Sequence, residues 1–244
     1  RSLIYIRCLV FLTAMRYDQM LRQISALKED STEVISGKMN VHTSPMISVC
    51  ILPVVYVDYK HNFPKVQLFC QERYQDDIVK EVSEHPGDVG YVLVANTLHH
   101  FFDKIPSNVE LSLLNTYPIY MAMSPRHPLA RQHTLSLQSI KDYPLIIYEA
   151  GGIQGEHALQ SEVDMHILLS TNNTNMTKEL LNEGNALMYS YPPYVTRGAF
   201  PECVHIPLHT KNIFFELYMV HNKDANQQQR RLIDSFSSIF QQYI

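Results

Sequence analysis

The feature that most constrains the fold is the segment at residues 89–94, Val-Gly-Tyr-Val-Leu-Val, which is apolar on both sides of a β-strand. A strand of this kind is buried on both faces, as in a parallel sheet that is covered by helices. Further short apolar segments follow along the chain and alternate with segments of helical periodicity. This alternation predicts an α/β protein in which helices connect the strands.

Turn signals between these segments mark the expected elements. Ser44-Pro45 predicts a helix start with serine as the cap and proline in the first turn, and that helix should stop at Phe63-Pro64. Ser170-Thr171-Asn172 is expected to start a later helix in the same way, and Gly184 to end it. Strands are predicted at residues 38–43, 66–71, 89–94, 109–114, 119–123, 145–148, 165–169, 186–189, 204–207 and 214–220, and further helices at 76–83, 137–142, 173–182 and 226–243.

The first 27 residues predict one long helix with an apolar seam, whose members recur alternately three and four residues apart. Such a helix would be about 40 Å long at 1.5 Å per residue. We expect the seam to join two chains; the alternative is an amphipathic helix that packs on its own domain. The seam consists of Leu3, Ile6, Val10, Thr13, Tyr17, Met20, Ile24 and Leu27.

Neither a signal peptide nor a membrane anchor is expected at this end. Arg7 interrupts the apolar stretch, which is too short to span a bilayer and lacks a cleavage site after it. The chain begins with Arg1 instead of Met, which suggests that a segment upstream has been removed.

Charge and motifs narrow the functional classes. The formal net charge is −4 and the basic residues are scattered, so these residues alone are not expected to bind nucleic acid. The four cysteines lie far apart without a CxxC pair, which fits a reducing cytoplasm and argues against a disulfide framework. The sequence has no nucleophile elbow, P-loop or HExxH motif. We therefore expect no enzyme, no cofactor and no metal site.

A series of short landmarks, taken together in their order and spacing, resembles the effector domain of LysR-type transcriptional regulators. The resemblance covers essentially the whole chain from the first helix onward. The landmarks are the strand from Gly37, Thr43-Ser44-Pro45, Leu52-Pro53, Tyr59 followed by Phe63-Pro64-Lys65-Val66, Glu72, Pro86-Gly87-Asp88-Val89-Gly90, His127-Pro128-Leu129-Ala130 and Asn182-Glu183-Gly184-Asn185-Ala186.

This resemblance implies two Rossmann-like lobes with a central cleft, as in type 2 periplasmic binding proteins, preceded by a long N-terminal linker helix at residues 1–30. Lobe I would comprise residues 37–121 and 221–244, and lobe II residues 122–220. Crossovers near residues 121–124 and near Val220 would form the hinge. In the family, the linker helix pairs two subunits and leads to a winged helix-turn-helix domain, which has no counterpart in this sequence.

The resemblance also implies a function, namely the ligand-sensing part of a cytoplasmic bacterial transcription regulator. Its expected partners are a small, anionic effector and further copies of itself in a homodimer or homotetramer. DNA would be bound only through the absent domain, and no membrane is involved. A solute-binding protein of a transporter has the same two-lobe architecture and stays as the alternative.

The effector is expected between the lobes, at helix starts and at the ends of strands, where ligands of open α/β sheets gather. Arg73 and Arg197 are possible charge partners, with a solvated surface role as the alternative. The expected effector-binding residues are Thr43, Ser44, Gln75, Ala95, Asn96, Thr171, Asn172, Tyr191 and Pro192.

Overall fold

The computed structural model describes residues 35–148, 166–171, 173–197 and 200–244. The predicted N-terminal helix and Asn172 lie outside these residues. In chain order the elements are β1 (Gly37–Thr43), α1 (Pro45–Cys50), α2 (Leu52–Asn62), β2 (Val66–Glu72), α3 (Gln75–Glu84), β3 (Val89–Ala95), α4 (His99–Phe102), β4 (Val109–Tyr117), β5 (Tyr120–Met123), β6 (Leu135–Ser136), α5 (Leu137–Ile140), β7 (Leu145–Tyr148), β8 (Ile167–Thr171), α6 (Thr174–Glu183), β9 (Leu187–Ser190), α7 (Pro192–Arg197), β10 (Val204–His209), β11 (Phe215–Asn222) and α8 (Gln227–Phe240).

The first sheet has the strand order β2-β1-β3-β11-β4. The strands β2, β1 and β3 run parallel, and β11 is antiparallel to both β3 and β4. Helices cover both faces, as the apolar run in β3 predicted, since all seven residues of that strand are buried. On one face the ring of Tyr91 stacks on Phe240 of α8 at 3.8 Å between centroids. On the other face Ile78 and Val82 of α3 pack among the valines of the sheet.

The second sheet has the strand order β6-β10-β5-β9-β7-β8. Antiparallel pairs join β10 to β5 and β5 to β9, whereas β9, β7 and β8 run parallel. Its apolar core is a cluster distinct from the one that lies between α3 and the first sheet. Buried members of this core include Met121, Met123, Leu145, Ile147, Leu187, Ile206 and Leu208.

The strand pairing corrects the expected lobe boundaries at two places. β5 belongs wholly to the second sheet, so the chain first crosses over at residues 118–119, before the expected boundary at 121. β11 belongs to the first sheet, where it lies between β3 and β4, although residues up to 220 were expected in lobe II. The second crossover is therefore at residues 210–214. The C-terminal helix α8 lies on lobe I as expected, because it packs on α2 and β1.

Helix ends follow the sequence signals except at two caps. The cap of α6 is Asn173, which accepts the N–H of Met176 at 3.1 Å, whereas Ser170-Thr171-Asn172 was expected to start the helix; Gly184 ends that helix with φ of +95°. Ser44 stands at the N-cap position of α1, yet its side chain forms no capping hydrogen bond. Within the described part of the chain, no helix has the length and apolar character needed to cross a membrane.

Candidate functional site

The two lobes meet where α1 of lobe I faces Tyr191 and α7 of lobe II. Tyr191 is fully buried. Its hydroxyl donates a hydrogen bond to the carbonyl oxygen of Met46 at 3.1 Å and lies 3.1 Å from Sγ of Cys50. Cys50 Sγ also donates to the Met46 carbonyl at 3.0 Å. A side chain of lobe II is thus bonded to the first helix of lobe I, which places the expected residue Tyr191 at the interface between the lobes.

Aromatic rings that flank both crossovers surround Tyr191. The ring of Tyr117, at the end of β4, lies 5.2 Å from that of Tyr191 in an edge-on contact. Tyr194 lies at 5.2 Å and Phe215, the first residue of β11, at 6.5 Å. Because Tyr117 and Phe215 flank the crossovers, a change in the angle between the lobes has to change these contacts.

Thr43 and Ser44 lie at the carboxyl end of β1, beside β3, where the connections of the sheet change direction. Such a switch point leaves a crevice in open α/β sheets. Both residues are buried. The backbone N–H of Ser44 donates to the Tyr91 carbonyl at 3.1 Å, and Ser44 Oγ accepts the Leu93 N–H at 3.4 Å. Ser44 therefore continues the pairing of β1 with β3 and does not cap the helix.

Thr43 differs from Ser44 in having a hydroxyl without a partner. Its Oγ1 is buried and forms no hydrogen bond among the described residues. A buried hydroxyl that lacks a partner costs free energy, of the order of 1–3 kcal/mol. This atom is therefore available to a ligand at the switch point.

Arg197 supplies positive charge on the lobe II side. One of its terminal nitrogens, Nη2, donates to the carbonyl of Tyr243 at 2.7 Å, and its guanidinium lies 5.0 Å from the centre of the Tyr243 ring. Its Nε is buried and has no hydrogen-bond partner within the described ranges. Because Tyr243 follows α8 of lobe I, Arg197 links the two lobes and keeps one donor unused.

The thiol and phenol groups near Arg197 are uncharged at neutral pH, and burial raises their pKa values further. Burial raises the pKa of Cys50 to about 12, although its contact with the Tyr191 hydroxyl and the charge of Arg197 lower it in part. Burial also raises the pKa of Tyr117 to about 12. Arg197 is therefore the charged member of this set, and the nearest carboxylate in its network is that of Asp58, which accepts the Tyr243 hydroxyl at 3.1 Å.

Two of the predicted lobe I residues are occupied by structural contacts. The side chain of Gln75 is buried and donates to the Leu93 carbonyl at 3.4 Å. Asn96 donates to the carbonyl of Asn212 at 2.9 Å and accepts the N–H of Phe214 at 3.1 Å. These contacts tie the end of β3 to the second crossover, so Asn96 acts on the hinge. Ala95, the buried last residue of β3, pairs with Phe215.

Of the lobe II residues predicted at the start of α6, Asn172 lies outside the described residues and Thr171 lies apart from Tyr191. Thr171 ends β8, the edge strand, and its Oγ1 accepts the N–H of Asn173 at 3.0 Å. β8 is two strands away from β9, which corresponds to about 10 Å. Pro192, in contrast, follows Tyr191 directly and begins α7. The lobe II side of the interface is therefore formed by β9 and α7.

Sequence analysis missed Cys50 and Tyr117 and treated Arg197 only as a possible charge partner. No motif marks Cys50 or Tyr117. Their place at the interface results from the packing of one lobe on the other.

A separate cavity of about 190 Å³ lies on lobe II and is lined by Lys178, Glu179, Asn182, Phe200, Pro201, Glu202 and Cys203. Burial raises the pKa of Cys203 to about 11. Its thiol is therefore protonated at neutral pH, which is opposite to the low pKa of a cysteine that acts as an oxidation sensor.

Comparison with known proteins connects this arrangement to one family. Residues 32–241 match the family described as the LysR substrate binding domain. An uncharacterized HTH-type transcriptional regulator of Bacillus subtilis (strain 168), YwbI, is 26% identical over 204 residues, or 80% of this chain. The match spans 64% of the length of that relative.

Solved structures share the fold at low identity. HinK, a LysR family transcriptional regulator from Pseudomonas aeruginosa, is similar with a TM-score of 0.67 and 15% identity, over 92% of this chain and 78% of that one. A sulfate-bound mutant of the OxyR2 regulatory domain from Vibrio vulnificus has a TM-score of 0.67 and 11% identity, over 87% of this chain and 98% of that one. These proteins have the two-lobe fold of type 2 periplasmic binding proteins, which confirms the predicted fold class. The family and these relatives are transcription regulators and not enzymes.

Proposed function

Because this chain belongs to the LysR family through its substrate binding domain, we propose that it senses a small anionic effector between its two lobes and passes that signal to a DNA-binding domain. The observation that carries the proposal is the pair of unused donors at the interface. Thr43 Oγ1 on lobe I and Arg197 Nε on lobe II are both buried and lack partners within the described ranges. An effector with an anionic group and a hydrogen-bond acceptor would satisfy both.

The spacing of these donors indicates the size of the effector. Thr43 precedes α1, and Cys50, which feels the charge of Arg197, ends it. The two ends of this helix are about 10 Å apart. A small carboxylate or an oxyanion with a polar tail fits that span better than a bare inorganic ion. A sulfate-bound OxyR2 domain of the same fold supports an anion at this kind of domain.

The effector would act by changing the contacts between the lobes. Tyr191 now joins α7 to α1 through the Met46 carbonyl, and Asn96 holds the second crossover. An anion beside Arg197 would compete with the carbonyl of Tyr243 for the guanidinium. The lobes would then take a new relative angle. The effector can shift the equilibrium between the two lobe arrangements only by the difference between its binding free energies for them.

A binding experiment tests the proposal. The full chain is screened by thermal melting with inorganic sulfate and a panel of mono- and dicarboxylates, and each compound that stabilises it is measured by calorimetry. Arg197→Gln and Thr43→Val should each weaken binding about ten- to a hundredfold, because each removes a hydrogen bond to a charged ligand. Arg131→Gln removes an exposed arginine of lobe II and serves as the matched control.

The outcome against the proposal is equally specific. If both Arg197→Gln and Thr43→Val bind the anion with unchanged affinity, the proposed site between the lobes is wrong. Stronger weakening in Arg131→Gln would show that the anion binds to the surface of lobe II instead.

We extend the proposal to assembly and location. The apolar seam at residues 3–27 would join chains into a homodimer or homotetramer, and a helix-turn-helix domain would bind DNA in the cytoplasm. The HTH-type relative, of which the matched part is 64%, supports this arrangement. The family match favours a regulator over the solute-binding protein of a transporter. Sequence-selective retention of promoter DNA by this chain alone would contradict the proposal that a separate helix-turn-helix domain binds DNA.

A further inference from the structure

On the first lobe, three side chains with metal-binding atoms come together from distant parts of the sequence. They are His42 in β1, Glu81 in α3 and Asp88 just before β3. One ligand atom from each lies within 4.8 Å of the other two. His42 and Asp88 are buried and Glu81 is half-buried, so the cluster reaches the surface through Glu81.

The local fold explains why these residues meet. Gly90 lies opposite His42 in the pairing of β1 with β3. A Cβ atom at Gly90 would lie 2.3 Å from Cγ2 of Ile78 in α3, so a larger residue could not be accommodated without a shift. The missing side chain lets α3 pack close to the sheet. Glu81, one helical turn beyond Ile78, is thereby brought over the strand end that carries Asp88.

Existing contacts already orient two of the ligands. His42 Nε2 and Asp88 Oδ2 are 2.9 Å apart, and Asn40 Nδ2 donates to the other oxygen, Oδ1, at 2.8 Å. Metal sites commonly hold their carboxylate ligands through such an outer hydrogen bond. The second ring nitrogen of His42, Nδ1, is buried and has no partner among the residues described. With a metal on Nε2, the proton of the imidazole would reside on Nδ1, on the other side of the ring.

We propose that His42, Glu81 and Asp88 bind a divalent transition-metal ion, with Zn²⁺ as the best match. One imidazole and two carboxylates form a set of nitrogen and oxygen ligands that suits Zn²⁺, whereas Mg²⁺ and Ca²⁺ prefer oxygen alone. Two ligands of a tetrahedral zinc ion lie roughly 3.3 Å apart. The 2.9 Å between His42 and Asp88 is close to this distance, and Glu81 would move inward by up to about 1.5 Å.

The charges around Glu81 allow this movement. Arg73 Nη2 lies 3.3 Å from Glu81 Oε1, and His85 Nδ1 lies 3.5 Å from Oε2. Oε2 turns to the metal while Arg73 keeps its contact with Oε1. The two carboxylates balance the charge of the ion, and a water molecule completes the coordination at the open side.

Bound metal would fasten α3 to β1 and β3 and so stabilise the first lobe. This inference does not rest on the proposed effector site, because its ligands are His42, Glu81 and Asp88 and not the donors of Thr43 and Arg197. The experiment uses the full chain after treatment with a chelator. Zn²⁺, Co²⁺ and Mg²⁺ are titrated separately by calorimetry, and the visible absorption of the Co²⁺ form reports the number of ligands.

We expect one Zn²⁺ per chain and a rise in melting temperature on binding. Glu81→Gln and Asp88→Asn should each weaken Zn²⁺ binding at least a hundredfold, since loss of even an outer hydrogen bond such as that of Asn40 costs ten- to a hundredfold. Glu84→Gln changes an exposed carboxylate on the same helix and should leave the affinity unchanged. Binding should also weaken at acid pH, because protons compete for the imidazole.

Three results would overturn the proposal. One is the absence of Zn²⁺ binding at millimolar concentration. Another is equal affinity for Mg²⁺, which would indicate a general acidic surface. The last is Zn²⁺ binding that survives Glu81→Gln, which would place the ion elsewhere. Glu81 is partly exposed, so this variant is expected to fold even if Asp88→Asn does not.

Discussion

The hydrogen bond from Tyr191 to α1 can be removed by deletion of a single oxygen atom. Tyr191→Phe deletes the hydroxyl that donates to the Met46 carbonyl at 3.1 Å and contacts Cys50 at 3.1 Å. The phenyl ring keeps its contacts with Tyr117 and Tyr194. The variant therefore measures the polar link between the lobes apart from the packing of the ring.

The structure sets the expected loss of stability in Tyr191→Phe. The Met46 carbonyl would not be left without a partner, because Cys50 Sγ donates to it at 3.0 Å. The loss is then that of an ordinary hydrogen bond, about 1 kcal/mol, and not the larger cost of an unsatisfied buried group. In a unit of this size, that loss should lower the melting temperature by about 2–4 °C. Truncation of the whole ring in Tyr191→Ala should cost about 3–5 kcal/mol.

Circular dichroism is the suitable assay, because the chain has no tryptophan to report unfolding by fluorescence. Thermal and urea unfolding would be compared for wild type, Tyr191→Phe and Tyr56→Phe, whose ring is 42% exposed on α2. The control should match wild type. If Tyr191→Phe is as stable as wild type, the hydroxyl does not couple the lobes and the description of the interface is incorrect.

Three further predictions concern other parts of the chain. Gly90→Ala should destabilise the fold by about 1–3 kcal/mol in urea unfolding, because the added Cβ would overlap α3. Burial lowers the pKa of His205, so the unfolded chain binds the proton more tightly and stability should fall as pH drops below the ordinary histidine range near 6.5; His205→Gln should reduce that slope, and the exposed His209→Gln should not. Replacing Ile6 and Ile24 together with Asp should lower the mass in sedimentation, and an unchanged mass would count against the seam.

The sequence by itself determined the fold class and most elements. Buried strands such as β3 and amphipathic helices such as α8 follow from local periodicity, so their predicted bounds agree with the structure to within a few residues. Gly184 ended α6 as predicted, because its φ of +95° favours glycine. Thr43, which was predicted as a ligand residue beside a helix start, is the last residue of β1. These features depend on neighbours in the chain.

What the sequence could not decide is which distant segments meet. Strand β11 was assigned to lobe II, because its own residues do not indicate whether it pairs with β3 or with a strand of the second sheet. Asn96 was predicted as a ligand residue from its place after a strand, and only the tertiary structure gives the bond from its amide to the second crossover. Cys50, near Arg197, carries no motif at all.

The cluster of His42, Glu81 and Asp88 shows the same limit most clearly. No metal site was expected, because Glu81 and Asp88 follow His42 by 39 and 46 positions and the three residues form no spacing motif. They meet because β1 and β3 are neighbours in a parallel sheet, and because Gly90 allows α3 to lie close above them. Periodicity along the chain fixes which side of a strand or helix a residue occupies. Only the packing of strands and helices brings those sides together.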